Sequence, residues 1–207
     1  MGRESYHHGN LRQALVDATV GLIEDKGPMG FTLAEAARLA GVSAAAPYRH
    51  FAGRDQLLEE VARQGFNDFA ARLEAAFDGG RPSALSSFLR MGVAYLRFAS
   101  ERPGFYMAMF ESGLSITGNA ELTAAADRAR NAMQDGASAL FDRLPAARRP
   151  PPGMVANHVW AMSHGVVELF GRGRPGGRAP IGAEEMLESG VLIYLRGLGV
   201  IPADPTR

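Results

Sequence analysis

The chain has 207 residues, 46% of them hydrophobic, with 22 Lys and Arg matched by 22 Asp and Glu and no cysteine. That length allows one large domain or two small ones around a real apolar core. The lack of cysteine excludes disulfides, thiolate metal sites and cysteine nucleophiles. No apolar run approaches the roughly 18 residues of a membrane span and the polar start MGRESYHHGN offers no signal segment, so no membrane partner and a cytoplasmic location are expected.

In chain order, residues 1–9 are polar, and Asn10 is placed to cap a helix from Leu11 to Asp25. Its apolar stripe is Leu11, Ala14, Leu15, Ala18, Leu22 and Ile23. Lys26-Gly27-Pro28 ends it, and Phe31 is placed to anchor a three-helix unit. Thr32 and Glu35 have the spacing of a capping box. The helix they open puts Leu33, Ala36, Ala37 and Ala40 on one face. Gly41 suits the left-handed position that stops a helix. Ser43 is the next cap, and Ala44–Phe51 is expected as a second helix of about two turns. Pro47 should tighten or tilt it, because proline forfeits the bond to the Ser43 carbonyl. After Ala52-Gly53-Arg54 a long helix is expected from Asp55 to Phe77. Further helices are expected over about 82–100, 103–112, 119–143, 152–171 and 183–198, broken by Pro- and Gly-rich stretches, the last of them Gly171–Gly182. There is no strand-like alternation and no internal repeat, so the fold class is all-α.

Two short helices, small residues at their crossing and a tight Gly turn make a helix-turn-helix, whose second helix enters the major groove of DNA. The Thr32–Ala40 helix, Gly41-Val42-Ser43, Tyr48-Arg49-His50-Phe51 and Asp55-Gln56-Leu57-Leu58 together resemble the TetR family of bacterial transcriptional regulators, between Asn10 and Val61. The resemblance implies an all-helical homodimer on a double-stranded DNA operator. Its N-terminal helix-turn-helix domain is here 1–53, and its C-terminal ligand-binding and dimerisation domain is 54–207.

Tyr48 points outward and is expected to donate to a phosphate oxygen, as the matching family tyrosine does. Thr32 can offer a backbone N–H or its hydroxyl to phosphate, and N–H groups at the Ser43 helix start can do likewise. Arg54 stands where many members carry Lys and supplies a cation to the backbone. His50 matches a family position near the phosphates and could equally be packed. Ala44, Ala45 and Ala46 occupy the exposed start of the second helix. Alanine has no donor, but it can meet a thymine methyl and allow close backbone approach. Arg49 is the long donor here and the first choice for a guanine contact, a phosphate contact or salt bridge being the other reading. The arm Tyr6-His7-His8-Gly9-Asn10 fits a DNA backbone or minor-groove contact, or plain disorder. Within residues 1–53, Arg3, Arg12, Lys26, Arg38 and Arg49 are cancelled by Glu4, Asp17, Glu24, Asp25 and Glu35. Bulk charge therefore leaves no footprint of a nucleic-acid binder, and weak non-specific binding with reliance on a dimer is expected.

In the second half, Trp160 and His164 lie one helical turn apart on one face, and Gly165 would let another backbone approach. This Trp-x-x-x-His-Gly pattern resembles the WHG-type C-terminal domain of one branch of TetR-like regulators. No nucleophile, carboxylate or metal-ligand spacing accompanies His164, so no catalytic residue, metal or cofactor is assigned. Phe88, Tyr95, Phe105, Met109, Phe110, Trp160 and His164 are candidate linings for a hydrophobic or aromatic small molecule, ordinary core being the alternative. Val166, Val167, Phe170, Leu187, Val191, Tyr194 and Leu195 make the last two helices too apolar for a solvated surface, and they are the candidate dimer contact. The reading is a ligand-responsive repressor, not an enzyme. The alternatives are a helical binding module that does not touch DNA and an activator of the same fold.

Overall fold

The computed structural model describes residues 11–142, 144–171 and 181–202. The arm Tyr6–Asn10 with its Asn10 cap, residues 172–180 of the Gly/Pro/Arg-rich stretch and the tail from residue 203 lie outside the described residues. Among the described residues there are helices and no strand: α1 Leu11–Lys26, α2 Leu33–Leu39, a short 3-10 turn Ala46–Arg49, α3 Arg54–Phe77, α4 Ala84–Glu101, α5 Pro103–Phe110, α6 Ala120–Phe141, α7 Pro152–Val166 continued by a π turn Val167–Gly171, and α8 Ala183–Gly197.

These form two compact units, neither contiguous in sequence. The first holds the chain up to Asn67 together with Arg102–Ala126, and the second holds Asp68–Glu101 and the chain from Asp127 onward. Helix α3 supplies its first part to one unit and its last part to the other.

In the first unit half of the stripe read from the sequence of α1 is buried: Leu15, Leu22 and Ile23 are at most 4% exposed, Leu11, Ala14 and Ala18 are half-buried, and Val16 and Thr19, outside the stripe, are fully buried. Helix α1 packs on α2, and Phe31, Leu33, Ala36 and Ala37, with Leu57, Leu58 and Val61 of α3, are buried in the same unit. Helix α1 also packs on α5, a partner the sequence did not reveal. The joint depends on Gly104: a Cβ there would sit 2.7 Å from the Val20 carbonyl oxygen. The Gly104 N–H donates to Glu24 Oε1 at 3.1 Å, so a carboxylate from α1 satisfies an orphan donor at the start of α5.

In the second unit α4, α7 and α8 pack on one another. Gly92 lets α8 come close, with Leu187 Cδ2 3.1 Å from where a Cβ would be. Gly165 does not behave as its sequence position suggests. Nothing lies within 4 Å of a Cβ built on it, whereas a Cβ on Gly190 of α8 would be in ordinary contact with Met162 of α7, 3.9 Å from its sulfur.

Candidate nucleic-acid interface and aromatic core

The reading segment is built by local signals. Thr32 Oγ1 accepts from the Glu35 N–H at 3.2 Å, and the Thr32 N–H donates to Glu35 Oε2 at 2.9 Å, closing the capping box. Lys26 pairs with the same carboxylate. Hydrogen bonds from Lys26 and from Thr32 hold the Glu35 carboxyl below the usual carboxylate range. At the other end of α2, Gly41 has φ +72°. The Gly41 N–H donates to the Arg38 carbonyl at 3.2 Å and the Val42 N–H to the Ala37 carbonyl at 3.0 Å. This is the Schellman pair that a left-handed residue permits.

The expected two-turn helix Ala44–Phe51 does not form. In its place stands the four-residue 3-10 turn Ala46–Arg49. Pro47, buried at the second position of the turn, has no N–H to give, so the α ladder cannot propagate through it. Its carbonyl accepts from both the His50 and the Phe51 N–H at 2.9 Å. Ser43 serves through its backbone carbonyl, which accepts from the Ala46 N–H at 3.0 Å; no side chain caps the turn.

Ser43, Ala44, Ala45, Tyr48 and Arg49 are exposed, and Ala46 and His50 are half-buried. Tyr48 is 63% exposed. The Thr32 hydroxyl is held in the capping box. Arg54 is likewise engaged: it pairs with Asp55, donates to the Met29 carbonyl at 3.2 Å and lies over the Phe31 ring.

The turn is held from behind by residues the sequence reading did not single out. Arg12 on α1 donates to the His50 carbonyl at 3.5 Å, lies 4.8 Å from the centre of the Phe51 ring and pairs with Glu60 at 3.0 Å. Glu60, only 6% exposed, also accepts from Arg63 at 2.6 and 2.9 Å and from Gln64 at 2.9 Å. Burial alone would raise the Glu60 carboxyl, but hydrogen bonds from Arg63, Gln64 and Arg12 outweigh it and bring it down to about 2. The Glu60, Arg63 and Gln64 spacing on α3 was legible as i,i+3 and i,i+4 neighbours, whereas Arg12, 48 residues away, had no local signal.

The expected ligand-lining residues divide between the units. Phe105, Met109 and Phe110 are in the first, where Phe110 meets Phe66 and Tyr106 edge-on. Phe88, Tyr95, Trp160 and His164 are in the second. There Phe69 is the hub, with the rings of Tyr95 and Phe98 at 5.0 Å and of Trp160 at 5.7 Å. Trp160 and His164 both hold Tyr95, one edge-on at 6.0 Å, the other with its Nδ1 3.2 Å from the hydroxyl. Phe88 lies beside Gly136, where a Cβ would stand 3.2 Å from its ring. A cavity of about 320 Å³ in this unit lies elsewhere, lined by Leu96, Arg97, Ser100, Val167, Phe170 and Glu184 among others.

Of the expected dimer residues, Val166, Val167, Leu187, Val191 and Leu195 are at most 8% exposed within one chain. The packing of α4, α7 and α8 already covers them, so a second copy would meet other side chains. Phe170 and Tyr194 are half-buried, and Tyr194 bonds His158 Nδ1 at 2.7 Å. The large apolar side chains left open on these elements are Met154, Leu169 and Ile193, 38%, 65% and 68% exposed. No helix among the described residues is long and apolar enough to cross a membrane.

Comparison with known proteins agrees with this geometry. Residues 15–61 match the model of bacterial regulatory proteins, tetR family, and residues 88–193 match the tetracyclin repressor-like C-terminal domain. Over 103 residues the chain is 32% identical to the HTH-type transcriptional regulator BetI of Rhizobium meliloti, covering 48% of this chain and 50% of that protein. The chain spans about half the length of the curated relatives it matches. A protein of unknown function from Rhodococcus sp. RHA1 superposes with a TM-score of 0.78 at 26% identity, over 94% of this chain and 98% of that one. AibR, solved with isovaleryl coenzyme A and operator DNA, has a TM-score of 0.68 at 17% identity, over 88% of this chain and 97% of that one; this second likeness is one of fold. With the helix-turn-helix at one end and the repressor-like domain spanning more than half of the sequence, the chain belongs to the TetR family of bacterial transcriptional regulators.

Proposed function

We propose that this chain is a cytoplasmic repressor that binds a palindromic operator as a homodimer and leaves it when a hydrophobic or aromatic small molecule binds. The observation that carries the reading is the electrostatics of the reading segment. Bulk charge cancels in sequence, yet in space Arg38 and Arg49 are exposed without an ion-pair partner among the described residues, while Glu35 is neutralised by Lys26. A net-neutral domain thus offers phosphate a cationic edge. Tyr48 is the phosphate donor, Arg49 the reader of a guanine, and the start of the turn at Ser43 approaches the backbone. Thr32 and Arg54 contribute through the groups their internal bonds leave over, and His50 stands beside the phosphates. The division at residue 54 and the arm on the minor groove belong to the same proposal.

Dimerisation is supported by α7. Between Pro152 and Val166 there is no Asp, Glu, Lys or Arg, although Met154, Asn157, His158 and Ala161 are exposed. A solvated helix carries charge on its outer face. This one, beside the open Leu169 and Ile193, fits the depleted charge of an interface core. A pair of chains joined there would present two recognition turns to grooves about 34–36 Å apart. Binding of AibR to both isovaleryl coenzyme A and operator DNA supports a small-molecule effector for this fold.

Release follows if the effector prefers an arrangement in which α3 holds the recognition turns off groove spacing. A coupling of about 1–3 kcal/mol would change operator affinity roughly 5–150-fold. The chain has no cysteine, so Ala34→Cys, on the exposed side of α2, gives one spin label per protomer. The dimer should retard DNA from upstream of its own gene in a gel, and the label-to-label distance should change with an effector found by thermal-shift screening of hydrophobic compounds. An unchanged distance at saturation refutes the release mechanism, and a chain that stays monomeric at micromolar concentration with its DNA refutes the whole reading.

A further inference from the structure

The recognition turn is entered through a short exposed edge that carries methyl groups. Its front, Ser43-Ala44-Ala45, is exposed and carries one hydroxyl and two bare Cβ methyls. Because Ala46–Arg49 winds as a 3-10 turn, side chains three apart eclipse, which sets Ala45 in line with Tyr48 and Ala46 in line with Arg49. The long hydrogen-bonding side chains, Tyr48 and Arg49, come from the last two residues of the turn. A full two-turn helix would have carried more side chains into the groove. With the turn shortened to Ala46–Arg49, Ala44 and Ala45 stand exposed ahead of it in the chain.

The charge around that edge complements a duplex. Between Leu33 and Phe51 the ionised groups are Arg38, Arg49 and a Glu35 already paired with Lys26. Of the groups that base edges show in the major groove, the thymine 5-methyl is the one a methyl side chain reads favourably; the others ask for a donor or an acceptor. An alanine set against N7, O6 or N4 would leave that base group without its water and without a partner.

We propose that Ala44 and Ala45 read thymine 5-methyl groups, so that each operator half-site is selected in part by apolar contact at thymines facing the front of the turn. This rests on the DNA-binding reading above. One methyl removed from water is worth about fourfold in affinity, so a dimer that meets the same thymine in both half-sites gains about fifteenfold from that position.

The test leaves the protein unaltered. Sites are selected from random duplexes with the full chain, then resynthesised with deoxyuridine for thymine one position at a time, which removes the methyl and keeps the base pair. Affinity should fall about fourfold per half-site at one or two adjacent positions and stay constant elsewhere. Ala45→Gly should bind the thymine duplex more weakly and become indifferent to the methyl at one of those positions. Should that variant misfold, the deoxyuridine series on the natural chain decides alone. A selected site that lacks thymine there, or that ignores the methyl throughout, overturns this inference and leaves the DNA-binding reading standing. Failure to select any duplex overturns the DNA-binding reading itself.

Discussion

Between Ser43 and His50 a single residue, Pro47, is buried, and a few backbone hydrogen bonds define the path of the chain. Around Phe69, by contrast, three aromatic rings lie within 5.7 Å of a side chain with no exposure at all. The reading segment is shaped by backbone chemistry and steadied from outside by Arg12. The aromatic core is shaped by its own close packing. Substitutions in the second should therefore cost the fold, and substitutions in the first should cost recognition while sparing the fold.

The largest effect is expected at the core. Phe69→Ala removes a ring from a filled site and should lower unfolding free energy by about 3–5 kcal/mol in urea titration; a loss under about 1 kcal/mol would mean the site collapses freely and the contrast is false. Next comes the clamp behind the turn. Glu60→Gln leaves Arg12 and Arg63 with a weaker partner in a buried place and should cost about 2–3 kcal/mol. The sign with pH is fixed by the depressed carboxyl. Its stabilisation is fully present above the ordinary value of 4.5 and is lost as pH falls toward about 2. The acid limb of the stability curve should accordingly flatten in Glu60→Gln.

A smaller effect is expected at Gly41→Ala. A Cβ there meets nothing within 4 Å, so the cost is the left-handed backbone alone, about 1–2 kcal/mol. Smallest for stability are the exposed pair. Tyr48→Phe should change unfolding free energy by no more than about 0.5 kcal/mol while weakening binding about tenfold on all DNA sequences alike. Arg49→Ala should relax preference at one base position per half-site, worth about 1–3 kcal/mol, in a binding-site selection. A large stability loss at either position would show the turn to be part of the packed core.

Elements with local causes were legible in the chain. The capping box of Thr32 and Glu35, the Gly41 stop and the long helix after Gly53 each depend on residues within one or two turns. The structure places them where the sequence does. The disturbance at Pro47 was legible too, but its extent was not. Whether a missing N–H tilts an α-helix or reduces it to a 3-10 turn depends on how the turn is gripped, and Arg12 does that from another helix. The apolar residues of α7 and α8 were legible as buried. Their partner was not, since burial against α4 and burial against a second copy demand the same composition.

Sequence by itself determined the family, the helical class and the position of the reading segment. Helix periodicity, caps and stops are short-range effects written into neighbouring positions. The tertiary structure alone decided which side chains brace the turn, how Gly104 joins α1 to α5, and which apolar residues stay open after the chain has packed on itself. Those outcomes depend on contacts between residues tens of positions apart, where every apolar stripe has several possible partners and only shape and the pairing of buried charge choose among them.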